Sequence, residues 1–441
     1  MSTVRHGMSS ELVLAGGRPL RGRIRVPGCK GISHRALLLA GMADGRSRIA
    51  GMAEGDDVAH TAEVLDRLGV RLRHGAPDER GVGVATVTSG GVETFREPDV
   101  VLDCGNSGTT MRMVAGLLAG RPQLAVLDGD ASLSARPMGR VVEPLRAMGA
   151  TVDGRAGGTL PPLVIRGGAL RGTRHALAVA SGQVKTALLL AGLQAEGVTE
   201  IVEPAPSRDH TERMLAALGV PIERRDPTRV ALRAGAPRPF EIVVPGDPSS
   251  AAFFVVASTI VPGSSIVIEG VSLNPGRIAY VDVLTRMGAR IEITETGIEV
   301  GEPVGDITVE HASLHGTEIA GEEAIIDELP VLAIAAAFAE GLTTIHDAGE
   351  LAVKESNRIA TLTQELTQLG VEVEARPDGI VVRGGSPRGT RLKSHGDHRV
   401  ALCGAVAGLA AEGETVVRGW SAVGVSYPRF ADDLARLLGD A

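Results

Sequence analysis

Six short stretches of this chain place polar, mostly cationic or hydroxyl, side chains just ahead of an almost wholly apolar run. The first, V-P-G-C-K-G-I-S-H-R, carries Lys30, His34 and Arg35. The second, G-N-S-G-T-T-M-R, carries Asn106, Ser107, Thr109 and Arg112. The third, S-G-Q-V-K, carries Ser181, Gln183 and Lys185, and Ser207, Arg208, Asp209 and His210 follow on its loop. The fourth, G-D-P-S-S from Gly246, holds no cation. The fifth starts at Asp327, with Lys354, Glu355 and Arg358 downstream, and the sixth holds Asp397, His398 and Arg399. Capping a helix asks only for Ser, Thr, Asn or Asp. Lysine and arginine repeated beside helix N-termini suit a phosphate or carboxylate ligand instead, because unpaired N–H groups and the helix dipole already favour negative charge there. Any one of these residues alone reads equally well as a solvated cap or a surface ion pair. Together they indicate a small polyanion.

Side chains of this kind act only if helices hold them. The apolar run Ala36 to Met42 predicts a buried helix, and the other five runs repeat that grammar. Each is followed by an amphipathic segment ending in Leu or Met and then glycine. His60 to Leu68 with Gly69 is the first, leading into a strand from Val70 to Arg73, and Gly149, Gly219, Gly288, Gly370 and Gly439 mark the others. Glycine there fits the position just past a helix, where φ is positive. The chain therefore reads as six α/β units of about 70–80 residues. The sixth unit stops without its closing strands, whereas Leu12 to Leu14 and Arg23 to Val26 are spare strands at the amino end. The chain ends are thus expected to meet in one domain, 1–27 plus 246–441, holding repeats four to six. Residues 28–245 would form an inserted domain of repeats one to three, with crossovers near Pro27 and Pro245.

Composition sets further bounds. A chain of 441 residues exceeds one ordinary core. With 58 glycines it is rich in tight turns, and with 2% aromatics its core must be built from Ala, Leu, Val and Ile. A net charge of −8 and no basic run argue against nucleic acid as the partner. Cys29, Cys104 and Cys403 show neither metal nor disulfide spacing, as suits a reducing compartment. Residues 1–9 lack the apolar core of a signal peptide, and no 18-residue apolar run exists. A cytoplasmic protein is expected.

The ordered series K-G-I-S-H-R, G-N-S-G-T-T-M-R, S-A-R-P-M, S-G-Q-V-K, S-R-D-H-T-E-R-M-L, V-K-E-S-N-R and G-D-H-R resembles that of the 5-enolpyruvylshikimate-3-phosphate synthases. These are the glyphosate-target enolpyruvyl transferases of aromatic amino acid biosynthesis. The resemblance spans Val26 to Tyr427, and seven motifs in order are far more specific than one. It implies a two-domain α/β fold, each domain three βαβαββ repeats arranged as an inverted α/β barrel. It implies transfer of the enolpyruvyl group of phosphoenolpyruvate to the 5-hydroxyl of shikimate 3-phosphate with release of phosphate, by addition and elimination. No cofactor and no metal are implied, and the partners are small anions, not nucleic acid or membrane, for a monomer. By resemblance Lys30, Gly31, Arg35, Ser181, Gln183, Arg208, Asp327 and Lys354 would hold shikimate 3-phosphate. Lys30, Gly108, Arg136, Gln183, Arg358 and Arg399 would hold phosphoenolpyruvate. Asp327 would take the hydroxyl proton, and Glu355 or Lys30 would protonate the methylene carbon. Asp327 is read as opening its helix, where the dipole would favour the carboxylate.

Some positions depart from the family pattern. Gly31 stands where serine is usual, Gly182 replaces Ser or Ala, Ala352 replaces a common arginine, Asn357 stands for Asp, and Val425 stands where many members carry lysine. The runner-up is a paralogous enolpyruvyl transferase for a modified shikimate- or cyclitol-like acceptor. A UDP-N-acetylglucosamine enolpyruvyl transferase would need a cysteine within the loop that here reads D-A-S-L-S, and an RNA-end cyclase would need a basic face. A non-catalytic binding protein on this scaffold would not need Lys30, Asp327, Glu355 and Arg399 together.

Overall fold

The computed structural model describes residues 4–6, 10–77 and 82–440; residues 1–3 and 7–9 of the amino-terminal stretch read above lie outside the described residues. Twelve helices of eight or more residues occur among those described. The first six are α1 (Lys30–Met42), α2 (Asp56–Arg67), α3 (Gly108–Leu118), α4 (Gly139–Met148), α5 (Gly182–Gly192) and α6 (His210–Ala217). The next six are α7 (Pro248–Ile260), α8 (Pro275–Arg286), α9 (Leu329–Ala337), α10 (Arg358–Gln368), α11 (His398–Ala410) and α12 (Phe430–Leu438).

Odd-numbered helices are the apolar runs, buried almost all round: every residue of α9 is inside. Even-numbered helices bury one stripe, as α2 does with Val58, Thr61, Val64 and Leu65. α2 starts at Asp56, a turn earlier than its apolar pattern shows, since Asp56 and Asp57 suit the positive end of the dipole. Gly69, Gly149, Gly219, Gly288, Gly370 and Gly439 all have positive φ, between 71° and 111°, as their place after a helix requires. No helix among the described residues is long and apolar enough to cross a membrane.

Among the described residues the strands form six four-stranded sheets, one per repeat, and one two-stranded sheet of Leu170–Arg171 with Ala195–Glu196. In the fifth, Glu318–Ala320 runs parallel to Leu342–His346, with Ile319 opposite Ile345. Leu342–His346 is antiparallel to Gly379–Arg383, which is antiparallel to Glu372–Arg376. Parallel neighbours need a helical crossover and antiparallel ones only a tight turn, so the order is βαβαββ. The sixth repeat completes its sheet from the amino end: Glu11–Ala15 pairs antiparallel with Glu414–Arg418, Leu12 opposite Val417. Arg21–Ile24 runs parallel to Ser265–Ser272 in the fourth repeat, and Glu241–Val243 runs parallel to Asp44–Ala50 in the first.

The chain forms two compact units. One comprises Met1–Pro27, Gly246–Gly297 and Pro303–Ala441; the other comprises Gly28–Pro245 with Ile298–Glu302. Each has its own apolar core built on its three odd-numbered helices. Of one Trp, two Tyr and six Phe, Phe253, Phe254, Trp420, Tyr427 and Phe430 gather where α12 packs in the first unit. In the second unit α3 and α5 touch backbone to backbone. A Cβ on Gly116 would lie 2.1 Å from the Ala187 carbonyl oxygen. Gly116→Ala is therefore expected to force these helices apart at a cost of about 1–3 kcal/mol, lowering the thermal midpoint by about 2–4 °C per kcal/mol. Gly168→Ala, whose Cβ would meet nothing within 4 Å, is the control, and calorimetry of the two variants checks the difference. Equal midpoints would show that the contact is not tight.

Candidate active site

In the unit built on Gly28–Pro245, the polar helix starts interlock. Lys30 opens α1 and ion-pairs with Asp57 in the first turn of α2. The Asp57 carbonyl accepts from Thr110 Oγ1 (3.2 Å), and Ser107 caps α3 by accepting from the Thr110 N–H (3.0 Å). Thr61 Oγ1 shares hydrogen bonds with Thr110 Oγ1 (2.8 Å) and His34 Nδ1 (2.7 Å). Burial, with the charges of Lys30 and Arg35, holds the His34 imidazole well below its ordinary value, so it is neutral.

Arg35 is buried. Its Nε donates to Thr211 Oγ1 (2.6 Å) and its Nη2 to Thr186 Oγ1 (2.8 Å) and the Gly182 carbonyl (3.3 Å). Burial pulls this guanidinium down to about 10, although Glu212 opposes the change; it stays charged at neutral pH. Arg35 thus bolts α1 to α5 and α6, and only its Nη1 bond to the Gly31 carbonyl (2.7 Å) is partly exposed. A Cβ on Gly31 would lie 3.4 Å from that Nη1 and 3.6 Å from His210 Cδ2, so a serine fits there.

Ser181 caps α5 through the Val184 N–H (3.4 Å). Gly182 follows because Arg208 crowds it: a Cβ would lie 3.3 Å from the Arg208 Cβ and carbonyl oxygen. The loop bearing Arg208 is tethered by buried Lys185, whose Nζ reaches Glu203 Oε2 (2.6 Å), Glu212 Oε1 (2.8 Å) and the Ser207 carbonyl (3.4 Å). Burial raises the Glu212 carboxyl despite the opposing charge of Lys185. Gln183 accepts from Arg112 Nη1 (2.7 Å) and donates to Thr109 Oγ1 (2.9 Å), joining α5 to α3. At the start of α3, a Cβ on Gly108 would lie 2.8 Å from Arg112 Nη1 and 3.5 Å from Arg136 Nη1. Asn106 and Ser132 hold Arg136 in place. Burial, then the charges of Arg136 and Arg140, bring Arg112 down to about 10. Two guanidinia thus lie beside a glycine at a helix N-terminus, where backbone N–H groups and the dipole already favour negative charge. Arg112 stands four residues after Gly108 in α3, a spacing that puts both on one helix face, although it was assigned to neither substrate in the sequence reading.

In the unit holding both chain ends, the centre is Asp327. Lys354 Nζ, Arg358 Nη1 and Arg399 Nη2 each lie 3.8 Å from its carboxylate oxygens, and Arg399 Nη1 donates to its carbonyl (2.6 Å). Asp327 does not open its helix, as the sequence reading had it. The N-cap residue of α9 is Glu328, and Asp327 lies in the turn before it. The run L-P-V-L starts the helix later because the proline takes its preferred place in the first turn. The charge facing Asp327 is therefore that of three side chains rather than a helix dipole.

Arg358, the first residue of α10, is nearly inaccessible. It donates from Nε to Asp397 Oδ2 (2.8 Å) and from Nη2 to Asp397 Oδ1 (3.3 Å) and Glu355 Oε2 (2.6 Å). Its buried Nη1 makes no hydrogen bond among the described residues. Asp397 caps α11 through the Arg399 N–H (2.9 Å) and accepts from Ser356 Oγ (3.0 Å). Burial pushes the Asp397 carboxyl up, but the charge and hydrogen bonds of Arg358 outweigh it and leave it low. Glu355 behaves likewise, and Arg358 holds it below the usual glutamate value. It is thus ionised at neutral pH, which opposes a proton-donor role in the ligand-free site. His398 is pulled down to about 4, by burial and then by Arg399.

Three of the departures have plain geometry. Asn357 caps α10 by accepting from the Ala360 N–H (3.1 Å), a task Asn and Asp perform alike. Ala352 packs against the core, and Val425 is exposed.

The chain matches the model of the EPSP synthase (3-phosphoshikimate 1-carboxyvinyltransferase) family over residues 14–434. It is 47% identical over 433 residues to the 3-phosphoshikimate 1-carboxyvinyltransferase of Synechococcus sp. (strain JA-3-3Ab), covering 97% of this chain and 96% of that protein. It is 46% identical over 434 residues to the protein of that name from Bacillus thuringiensis (strain Al Hakam), covering 98% of this chain and 100% of the other. The EPSP synthase structure from Acinetobacter baumannii superposes with a TM-score of 0.89 at 37% identity, covering 97% of this chain and 98% of that one. The enolpyruvyl transferase NikO from Streptomyces tendae, at 21% identity and a TM-score of 0.77 over 97% of each chain, shares the fold. By sequence along nearly its whole length, and by fold, the chain belongs to the EPSP synthase family.

Proposed function

We infer that this protein transfers the enolpyruvyl group of phosphoenolpyruvate to the 5-hydroxyl of shikimate 3-phosphate and releases phosphate. The observation that carries the reading is one carboxylate, Asp327, facing Lys354, Arg358 and Arg399 at 3.8 Å each in a chain of this family. In the reaction the hydroxyl loses its proton and its oxygen bonds to C2 of phosphoenolpyruvate as the methylene carbon gains a proton. The bond from C2 to the phosphate oxygen then breaks as the methyl group returns a proton. Both substrates are polyanions, so cations must offset a repulsion that grows as water leaves.

Asp327 acts as the base on the hydroxyl. Lys30 and Glu355 are the two groups proposed to serve the methylene carbon, and the ionised state of Glu355 beside Arg358 favours Lys30. Lys30, Arg35, Ser181, Gln183, Arg208 and Lys354 hold the acceptor, with Gly31 open beside Arg35. Lys30, Gly108, Arg136, Gln183, Arg358 and Arg399 hold phosphoenolpyruvate, and Arg112 joins them at Gly108. The buried, unbonded Nη1 of Arg358 is suited to a carboxylate or phosphate oxygen. The reading carries with it a cytoplasmic monomer acting on small anions alone.

A coupled phosphate-release assay with both substrates tests the reading. Wild-type kcat/KM is expected within the ~10⁴–10⁸ M⁻¹s⁻¹ common for enzymes on their own substrates, and a value below ~10² would favour a different acceptor. Asp327→Asn keeps size and polarity but removes the base, so kcat should fall far more than binding weakens. A loss under about tenfold, roughly 1.4 kcal/mol, would move the base elsewhere. Gly31→Ser places a hydroxyl beside Arg35 Nη1 without a clash. It should lower KM for shikimate 3-phosphate by up to about 1.5–3 kcal/mol, or leave it unchanged if water already serves. A raised KM in steady-state kinetics would show that the acceptor needs the space.

A further inference from the structure

Glu328 follows Asp327 in the chain, is wholly buried, and is unassigned by anything above. Its Oε1 accepts from Ser249 Oγ, in α7, and lies 3.7 Å from Arg277 Nη2, in α8. Arg277 Nη2 in turn donates to Ser249 Oγ (2.6 Å) and lies 3.9 Å from Asp247 Oδ1. Asp247 caps α7 by accepting from the N–H groups of Ser249 (2.8 Å) and Ser250 (3.2 Å). The starts of α7, α8 and α9 thus meet in one buried polar cluster. Burial pushes the Glu328 carboxyl up, against the opposing charges of Arg277 and Arg399, while Asp327 adds to the rise.

Such a cluster is a poor device for stability, since well-packed apolar side chains serve as well or better. It is a good device for geometry. Glu328 and Asp327 share a peptide, so clamping one side chain on two other helices restricts where the neighbouring carboxylate can go. The Asp327 carbonyl is held at the same time by Arg399 Nη1 (2.6 Å). A base displaced by about 1 Å can lose on the order of 10²-fold in rate.

We propose that Glu328, held by Ser249 and Arg277, is a positioning residue that fixes Asp327 for proton removal from the acceptor hydroxyl. The inference rests on the reading of Asp327 as the base.

A double-mutant cycle in the full-length protein tests it, with kcat, both KM values and the thermal midpoint as readouts. Glu328→Ala should lower kcat by about 10- to 100-fold while each KM stays within about threefold. Glu328→Gln keeps an oxygen for the Ser249 hydroxyl and should retain kcat within about threefold. In an Asp327→Asn background, Glu328→Ala should cost less than about twofold more, because the group it positions has gone. Equal losses in both backgrounds would mean general disruption and overturn the proposal, as would wild-type kcat in Glu328→Ala. If Asp327→Asn alone stays within tenfold of wild type, the base assignment fails first and takes this inference with it. Should Glu328→Ala not fold, Ser249→Ala removes the bridging hydroxyl and is expected to show the same background dependence at a smaller loss.

Discussion

The site in the unit with both chain ends hangs on a buried ion pair, Arg358 with Asp397. Asp397 has no exposed surface and accepts from the Arg358 guanidinium, the Ser356 hydroxyl and the Arg399 N–H at once. A buried carboxylate is costly unless every such bond is made. Because all are made, it locks the starts of α10 and α11 together. That lock aims Arg358 Nη1 and Arg399 at Asp327 and leaves Glu355 ionised against Arg358. Remove the carboxylate and the buried guanidinium would keep only Glu355 and the more distant Asp327 as partners.

The other unit solves the same problem with neutral partners. Arg35 has threonine hydroxyls and backbone carbonyls around it rather than a carboxylate. Dipoles can hold a guanidinium without cancelling its charge, and only the Nη1 edge of Arg35 is partly exposed. Lys185 is the opposite case, an ammonium spent between Glu203 and Glu212. Both sit next to helix starts in polar motifs, yet one is held by hydroxyls and carbonyls and the other by two carboxylates. Partner identity separates them, since both are buried.

The contrast shows how far motif reading carries. Ser107, Ser181, Asp247 and Asp397 were readable as helix openings because capping is a local hydrogen bond between near neighbours. Asn357 looked like a loss against the family's aspartate, and the cap it forms shows it to be an equivalent. Gly182 looked like a lost side chain, and the approach of Arg208 shows that there is little space for one. Asp327 was misplaced by one helical position because a proline two residues after Glu328 shifts the start of the helix. Nothing local marks Glu328, one polar residue ahead of an apolar run.

What the sequence by itself determined is the set of properties that depend on near neighbours. These are the six repeats, the alternation of buried and amphipathic helices, the positive-φ glycines that end them, and the collection of cations at helix starts. Family membership followed from the order of those motifs. What only the tertiary structure decided is which charges meet. Asp397 finding Arg358, and Glu328 sinking between Ser249 and Arg277, are contacts between residues about 40 to 80 positions apart. Periodicity says that a side chain lies on a buried face. It does not say which polar atom waits for it there, because that depends on how the helices of three repeats pack at their starts.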